Sequence, residues 1–161
     1  MRVVTLEACH LGAINVQPAQ AEEFAMQGGS VPPGGGWAFL DGDDVLAAYG
    51  LATKWPGVAY AWALLSADAG RHMVALTRAI RAELDAAEFG RVEMAVDAGF
   101  PEAVRFARVL GFKRETPQPM QRYFPNGHAA YLYARVKDEL VSASLRRVDA
   151  GAKPARPSAP V

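Results

Sequence analysis

The stretch EAVRFARVLGF, residues 102–112, carries the pattern that decides the fold. Pro101 stands before it as a proline at the first helical position, and Gly111 is the residue type that most often follows the end of a helix. The apolar residues between them recur at helical spacing. The stretch therefore predicts a helix that starts at Pro101 and ends at Gly111, with Phe112 packing back against it.

The segment upstream of this helix predicts a strand, a helix and a second strand. Residues 58–65 alternate large and small side chains as a strand does, and residues 91–96 show a similar alternation. Between them an amphipathic helix begins at Gly70 and ends before Gly90. Its apolar stripe consists of Met73, Leu76, Ile80, Leu84 and Ala87. The order strand–helix–strand implies that the two strands are parallel.

Turn residues and short apolar runs predict the remaining elements. Residues 28–36, GGSVPPGGG, contain too much glycine and proline for a helix or a central strand, and they predict a surface loop. A helix is predicted before this loop, at residues 18–26. The predicted strands are residues 3–6, 37–40, 45–51, 112–116 and 129–136, the second and third of which form a hairpin.

The composition fits one compact intracellular domain. The chain has 161 residues, of which 51% are hydrophobic, and this share argues against global disorder. The longest uncharged apolar run, residues 57–65, is far shorter than the roughly 20 residues of a membrane-spanning helix. Glu7 and His10 interrupt the start of the chain where a secretory signal is apolar. We therefore expect an intracellular protein that does not span a membrane.

The charged and metal-binding residues argue against further classes of function. The 17 basic and 17 acidic side chains balance, so no global positive field attracts nucleic acid. The single cysteine, Cys9, cannot form an internal disulfide and is interpreted as an inert small residue. Together with His10, His72 and His128 it shows no metal-ligand spacing. We expect neither a metal ion nor a nucleic-acid partner.

The order of the predicted elements resembles the GNAT acetyltransferase superfamily, and residues 58–136 carry the likeness. Its sharpest point is Leu110-Gly111-Phe112, because in that family a helix that ends in Leu-Gly-Phe follows the fifth strand. The resemblance implies an α/β (α+β) fold with a mixed, mostly antiparallel sheet, a central parallel strand pair and flanking helices. It also implies that an active member uses acetyl-CoA.

A narrower resemblance is to the divergent GNAT-like proteins of tailed bacteriophages, which are often associated with the virion. It rests on residues 61–65, 78–84, 96–97 and 110–112. This resemblance implies a structural or accessory component of a phage particle. Its location is then the virion, or the cytoplasm of the bacterial host during assembly.

The segment that corresponds to the family's coenzyme-binding turn is altered. A diphosphate reaches the backbone N–H groups of a helix start only where side chains leave room. The family uses roughly Arg/Gln-Gly-x-Gly-x-Gly/Ala, whereas residues 69–74 keep Gly70 and place His72 and Val74 where small residues are expected. If the cleft is competent, the resemblance assigns the cofactor contacts to Leu65, Gly70, Arg71, His72, Met73 and Ala103. Otherwise the segment is a solvated helix start.

Two catalytic positions of the family have also changed. Counted back from Gly111, Ala107 stands where many members have a tyrosine that protonates the leaving thiolate, and Phe100 stands where they have an asparagine. Residues 58–65 contain no Asp, Glu or His that could act as a base. These changes, together with the altered turn, favour a lost activity.

Two titratable side chains remain to be interpreted. Glu93 is a weak catalytic candidate, and since carboxylates on a strand face are ordinarily exposed and paired, it is more simply interpreted as a side chain that faces solvent beside Arg91. His128 follows Asn126-Gly127 and is interpreted as a turn residue. The catalytic residues therefore stay unassigned.

The sequence divides into three predicted regions. Residues 1–136 form the GNAT-like domain, residues 137–149 an amphipathic helix, and residues 150–161 an extended arm rich in Pro, Ala and Arg. The helix can dock on its own domain or fill a groove on another chain, and the arm can wrap a neighbouring subunit. The expected partners are other virion or assembly proteins, or a second copy of the chain.

Two functions are compatible with these observations. The first is a non-catalytic or degenerate GNAT-fold protein that serves a phage particle through protein contacts and uses no cofactor. The alternative is an active acetyl-CoA-dependent N-acetyltransferase, with the pantetheine arm aligned along the strand at residues 58–65.

Overall fold

The computed structural model describes residues 1–137. The strands are β1 (Arg2–Thr5), β2 (Trp37–Asp41), β3 (Asp44–Trp55), β4 (Val58–Leu65), β5 (Arg91–Asp97), β6 (Lys113–Arg114) and β7 (Ala130–Val136). The α-helices are α1 (Ala8–Ala13), α2 (Pro18–Met26), α3 (Met73–Ala86) and α4 (Pro101–Val109), and a 3-10 helix, Ala67–His72, leads directly into α3. Apart from Lys137, the predicted helix at residues 137–149 and the arm at residues 150–161 lie outside the described residues.

The strands form one sheet in the order β1-β2-β3-β4-β5-β7-β6. β4 and β5 are parallel, and the other neighbouring pairs are antiparallel. The connection between the two parallel strands contains α3, as the sequence predicts. The predicted fold class is therefore confirmed.

The parallel pair stays together only at its start. The register runs from Val58 opposite Arg91 to Tyr60 opposite Glu93. Beyond these residues β4 remains paired with β3 as far as Leu65, and β5 remains paired with β7 as far as its last residue. Each strand follows its outer neighbour, so the two separate and leave a gap in the middle of the sheet.

Helices cover both faces of the sheet. Alternation along β2 places Phe39 in the larger core and Leu40 in the smaller one, so the two cores lie on opposite faces. The larger core contains the buried stripe of α3, formed by Leu76, Ile80 and Leu84, and the end of α4 with Leu110 and Phe112. Phe24 of α2 packs against the smaller core. No helix within residues 1–137 is both long and apolar enough to cross a membrane.

Several boundaries differ from the sequence predictions. The helix α1 was not predicted, and it begins with a reciprocal cap in which the Glu7 N–H donates to Nδ1 of His10 at 3.0 Å. Cys9 lies in this helix, where it is exposed. β3 runs four residues further than predicted, to Trp55, whereas β6 is shorter than predicted. The two differences in strand length arise because the length of a strand depends on its neighbouring strand as well as on local pattern.

Residues 28–36 form the predicted loop, and its last residues lie against β3. A Cβ on Gly50 would lie 2.5 Å from the carbonyl oxygen of Gly35, and one on Gly36 would lie 2.5 Å from that of Tyr49. Only glycine permits such close approach of two backbones. The loop is therefore seated on β3, beside α2.

Candidate functional site

The gap between β4 and β5 is a cleft of about 360 Å³. Its walls come from the two strands, from α2, and from the start of α3 and α4. Small side chains at Ala61, Ala63 and Ala103 leave this space open. The polar lining side chains are Gln17, Gln20, Glu23, Tyr60, Trp62, Ser66, Asp97 and Glu102. The cleft combines a narrow apolar interior with carboxylates on α2, β5 and α4.

The edge of β4 that faces the gap is covered by α2. Nε2 of Gln20 donates to the carbonyl oxygen of Ala63 at 2.8 Å, and Oε1 of Gln20 accepts the N–H of Leu65 at 3.0 Å. The N–H of Gln17 donates to the carbonyl oxygen of Leu65 at 2.9 Å. Buried backbone groups require such partners. A ligand that pairs its amides with this part of β4 therefore has to displace Gln20.

The turn between β4 and α3 uses its own backbone N–H groups. The N–H of Asp68 donates to Oγ of Ser66 at 3.1 Å, and the N–H of Ala69 donates to the carbonyl oxygen of Ser66 at 3.1 Å. At the start of α3 the N–H of Met73 donates to the carbonyl oxygen of Gly70. A diphosphate at this turn competes with these internal bonds.

Four of the six predicted cofactor residues line the cleft: Leu65, Gly70, Met73 and Ala103. Arg71 and His72 do not line it, and their contact with a cofactor stays a prediction. Nε of Arg71 donates to Nε2 of His72 at 2.8 Å, and the His72 ring lies 3.4 Å from the carboxylate of Asp41 and 3.1 Å from Sδ of Met1. The 3-10 helix turns this part of the chain toward the end of β2.

The bulky side chains of His72 and Val74 do not obstruct the cleft between β4 and β5. Val74 is 67% exposed and, like His72, does not line the cleft. Neither side chain therefore fills the space between β4 and β5.

The two replaced family positions occupy different places. Ala107 is fully buried in the larger core and offers no proton donor, whereas Phe100 lines the cleft at the start of α4. The phenol hydroxyl in the cleft lining belongs to Tyr60 of β4, and burial raises its pKa to about 12. Tyr60 stands where β4 and β5 begin to separate.

Glu93 lies outside the cleft lining, in a chain of ion pairs on the sheet. The expectation that it faces solvent is wrong, because its two cationic partners cover it and leave it only 9% exposed. Its Oε2 accepts from Nζ of Lys54 at 2.6 Å, and its Oε1 accepts from Nε of Arg91 at 2.6 Å. Arg91 also pairs with Glu115 of the segment after β6. The hydrogen bond from Lys54, followed by that from Arg91, lowers the pKa of Glu93. A carboxylate held in this way is a weak base, and its role is structural.

We expect Glu93→Gln to lower the free energy of unfolding by about 1–3 kcal/mol at pH 6, because it leaves Lys54 and Arg91 without their shared carboxylate. The pKa of Glu93 lies below its ordinary value of 4.5, so its contribution is complete above that pH and is lost as the pH falls through the lower folded value. Urea unfolding at pH 6 and pH 3 measures this. The loss of unfolding free energy caused by Glu93→Gln should be smaller at pH 3 than at pH 6. The exposed control Glu88→Gln should change the free energy of unfolding little at either pH.

Asp97 and His128 meet at the mouth of the cleft. Nδ1 of His128 lies 2.6 Å from Oδ2 of Asp97, and Oδ1 of Asp97 accepts the N–H of Gly99 at 2.7 Å. Asp97 raises the pKa of His128 through this hydrogen bond. The His128 N–H donates to Oδ1 of Asn126 as in the predicted turn, but 31 positions separate His128 from Asp97, and no sequence signal indicated their contact. Among residues 1–137 no three His, Cys, Asp or Glu side chains are placed to hold a metal ion.

Glu23 of α2 is the carboxylate that sequence reasoning missed. It lines the cleft and also an adjoining cavity of about 90 Å³ below the loop at residues 28–36. Burial raises the pKa of Glu23, and the hydrogen bond from Gln27 partly offsets this effect. The spacing of Gln20, Glu23 and Gln27 on one helical face was the available signal.

No protein-family model and no curated protein matches the sequence. Solved structures do match the fold. The ribosomal-protein-S18-alanine N-acetyltransferase from Escherichia coli superimposes with a TM-score of 0.64 at 18% identity, over 84% of this chain and 92% of that chain. Ard1 from Thermoplasma volcanium gives a TM-score of 0.64 at 14% identity, over 84% and 96% of the two chains.

A GNAT-family acetyltransferase from Bacillus anthracis has a TM-score of 0.58 at 10% identity, over 86% of this chain and 96% of that one. At such low sequence identities these similarities establish only the architecture of the chain. The sheet order, the single parallel pair and its separation beyond Tyr60 agree with them. The chain therefore has the GNAT acetyltransferase fold.

Proposed function

We propose that the chain is an acetyl-CoA-dependent N-acetyltransferase that acylates an amine. The observation that carries this proposal is the open cleft between the separated parallel strands, with carboxylates where an amine would enter. Two of the similar structures reported above are named as acetyltransferases. The fold supplies the cleft, and this chain's residues supply its chemistry.

The lining fits the pantetheine arm of acetyl-CoA better than it fits the diphosphate. The apolar part of the lining, here called the channel, includes Ala61 and Ala63 of β4 and Ala103 and Phe106 of α4. Leu65 and Gly70 lie at the outer end of this channel, and Tyr60 lies at the inner end. Acetyl-CoA supplies an activated acetyl group. The protein's contribution is to align that group along β4 and to hold the amine beside it.

Thermal unfolding with added acetyl-CoA tests this proposal. A ligand that binds only the folded state stabilises it, by about 2.7 kcal/mol at a concentration 100 times Kd. We expect a saturable rise in Tm with acetyl-CoA and with desulfo-coenzyme A, and a smaller one with acetyl-pantetheine, which lacks the nucleotide. The absence of any shift with all three compounds contradicts the proposal.

A second candidate function is a non-catalytic GNAT-fold protein. The observation that favours it is the internal pairing of the cofactor-facing groups: Gln17 and Gln20 cover the edge of β4, and the turn before α3 uses its own N–H groups. The virion or assembly role, with location in a phage particle or its host, is a proposal that rests on the sequence resemblance. Co-purification of the full chain with assembled particles, without any response to acetyl-CoA, would support it.

A further inference from the structure

The acceptor side of the cleft is built on one face of α2. Glu23 lies in the wall that separates the cleft from the adjoining cavity, and it lines both. The cavity is otherwise lined by neutral groups, among them Gln20, Gln27 and Ser30, with Phe24 and Trp62 as apolar walls. A molecule in this cavity therefore meets one charge, the carboxylate that faces the cleft.

One oxygen of the Glu23 carboxylate has no hydrogen-bond partner among the described residues. Within the described residues its one side-chain hydrogen bond comes from Nε2 of Gln27, at 2.8 Å to Oε1, which leaves Oε2 open. Of the two other carboxylates in the cleft lining, Asp97 already accepts from His128 and from the N–H of Gly99, and Glu102 lies at the start of α4. Trp62 also places a buried indole N–H without a hydrogen-bond partner, among residues 1–137, in the wall of the same two cavities.

The charged and titratable groups around Glu23 come from several elements. Tyr60 lies on β4 in the wall of both cavities, Asp97 lies at the end of β5, and His128 precedes β7. Burial is the largest effect on the pKa of Glu23 and raises it, Asp97 raises it further, and His128 lowers it. A carboxylate with a raised pKa accepts a proton more readily than an exposed one.

We propose that Glu23 binds the acceptor amine and accepts its proton, and that the acceptor is a primary amine on a compact, uncharged body that fits under the loop at residues 28–36. This inference rests on the proposed N-acetyltransferase function and assigns to it a catalytic residue and a substrate class. The geometry carries it: one open carboxylate oxygen stands between the acyl channel and a small neutral cavity.

The proposed acetyl transfer conserves atoms and electrons. The protonated amine gives one proton to Glu23, and its nitrogen lone pair forms the new N–C bond to the acetyl carbon. The electrons of the C–S bond leave with sulfur, and the second amine proton ends on that sulfur as the thiol. Glu23 returns its proton to solvent, so each turnover yields one amide, one thiol and one proton.

The test compares Glu23→Gln with Glu22→Gln, a neighbouring carboxylate on α2 that is exposed and lines neither cavity. The probes are ethanolamine and glycine, which are similar in size but differ by a carboxylate. We expect ethanolamine to be acetylated with a kcat/KM at least about tenfold above that of glycine, because Glu23 and Asp97 repel a carboxylate. Glu23→Gln should lower kcat/KM for ethanolamine about 100-fold and leave the KM for acetyl-CoA unchanged, whereas Glu22→Gln should change neither.

Two further readouts separate this role from a structural one. In the wild type, kcat/KM should fall as the pH is lowered through the raised pKa of Glu23, and Glu23→Gln should lose this limb of the profile. The Tm of Glu23→Gln should equal or exceed that of the wild type, because burial of the carboxylate costs stability. In the absence of acetyl-CoA, ethanolamine should shift the side-chain carboxyl ¹³C signal of Glu23.

The outcomes distinguish this inference from the proposed function. If the wild type binds acetyl-CoA but Glu23→Gln keeps the wild-type kcat/KM, or if neither probe amine is acetylated, the assignment of Glu23 fails and the cofactor site stands. If acetyl-CoA does not bind, the proposed function itself fails. An unchanged carboxyl signal on addition of ethanolamine overturns the amine site in either case.

Discussion

Replacing Leu76 with alanine is expected to lower the free energy of unfolding by about 2–5 kcal/mol, the range for a buried leucine truncated in a packed core. Leu76 is fully buried, at the first position of the stripe by which α3 packs on the sheet. Its removal leaves a cavity between α3 and the strands that support it. Urea unfolding of the purified chain at neutral pH measures the change.

The matched control for this substitution is Val74→Ala, on the same helix. Val74 is 67% exposed, so its truncation should change the free energy of unfolding by no more than about 0.5 kcal/mol. A loss below about 1 kcal/mol in Leu76→Ala would mean that α3 is not anchored by this stripe, and the description of the larger core would be wrong.

Replacing Ala103 with tryptophan is expected to abolish acetyl-CoA binding. Ala103 lies on α4 in the lining of the cleft, where its small side chain leaves the channel open. An indole at this position occupies the space that a pantetheine arm requires, and we expect affinity to fall at least about 100-fold, or about 2.8 kcal/mol. Isothermal titration calorimetry with acetyl-CoA measures the loss.

The control for this experiment is Arg105→Trp, which adds the same side chain to an exposed position of α4 outside the cleft. Both variants should keep the circular dichroism spectrum and a Tm close to that of the wild type. If folded Ala103→Trp keeps the wild-type affinity for acetyl-CoA, the cofactor does not bind in this channel.

Local sequence pattern predicted most of the elements. Helix α2 and strand β4 have the bounds that Pro18, Gly28 and the alternation from Val58 to Leu65 predict. Helix α1 was missed because its six residues have no amphipathic stripe, and its cap depends on the pairing of Glu7 with His10. Short elements of this kind carry little periodic signal.

The candidate site was predicted in part. The cleft is lined by Leu65, Gly70, Met73 and Ala103, to which the resemblance assigns cofactor contacts, because local pattern predicts the elements that carry them. Their contact with a cofactor stays a prediction. Arg71 and His72 turn toward Asp41 because a 3-10 helix precedes α3, and nothing in the residue pattern separated that 3-10 turn from the start of the α-helix. The effect of His72 and Val74 on diphosphate binding stays a prediction.

The residues of the acceptor side could not be found from pattern at all. Glu23 and Asp97 are 74 positions apart, and they approach each other only because α2 folds over the edge of β4 while β5 separates from it. The pairing of Gln20 with Ala63 and Leu65 has the same origin. The sequence shows which side chains stand at these positions, but it does not show which of them lie close together.

The sequence by itself determined the kinds of elements, their order and the parallel crossover, since helical and strand periodicity and turn residues act over a few neighbouring positions. Tertiary structure alone decided where β4 and β5 part, which carboxylates meet there, and that α2 covers the exposed strand edge. These features depend on register with outer strands and on contacts between distant segments, which no local pattern encodes.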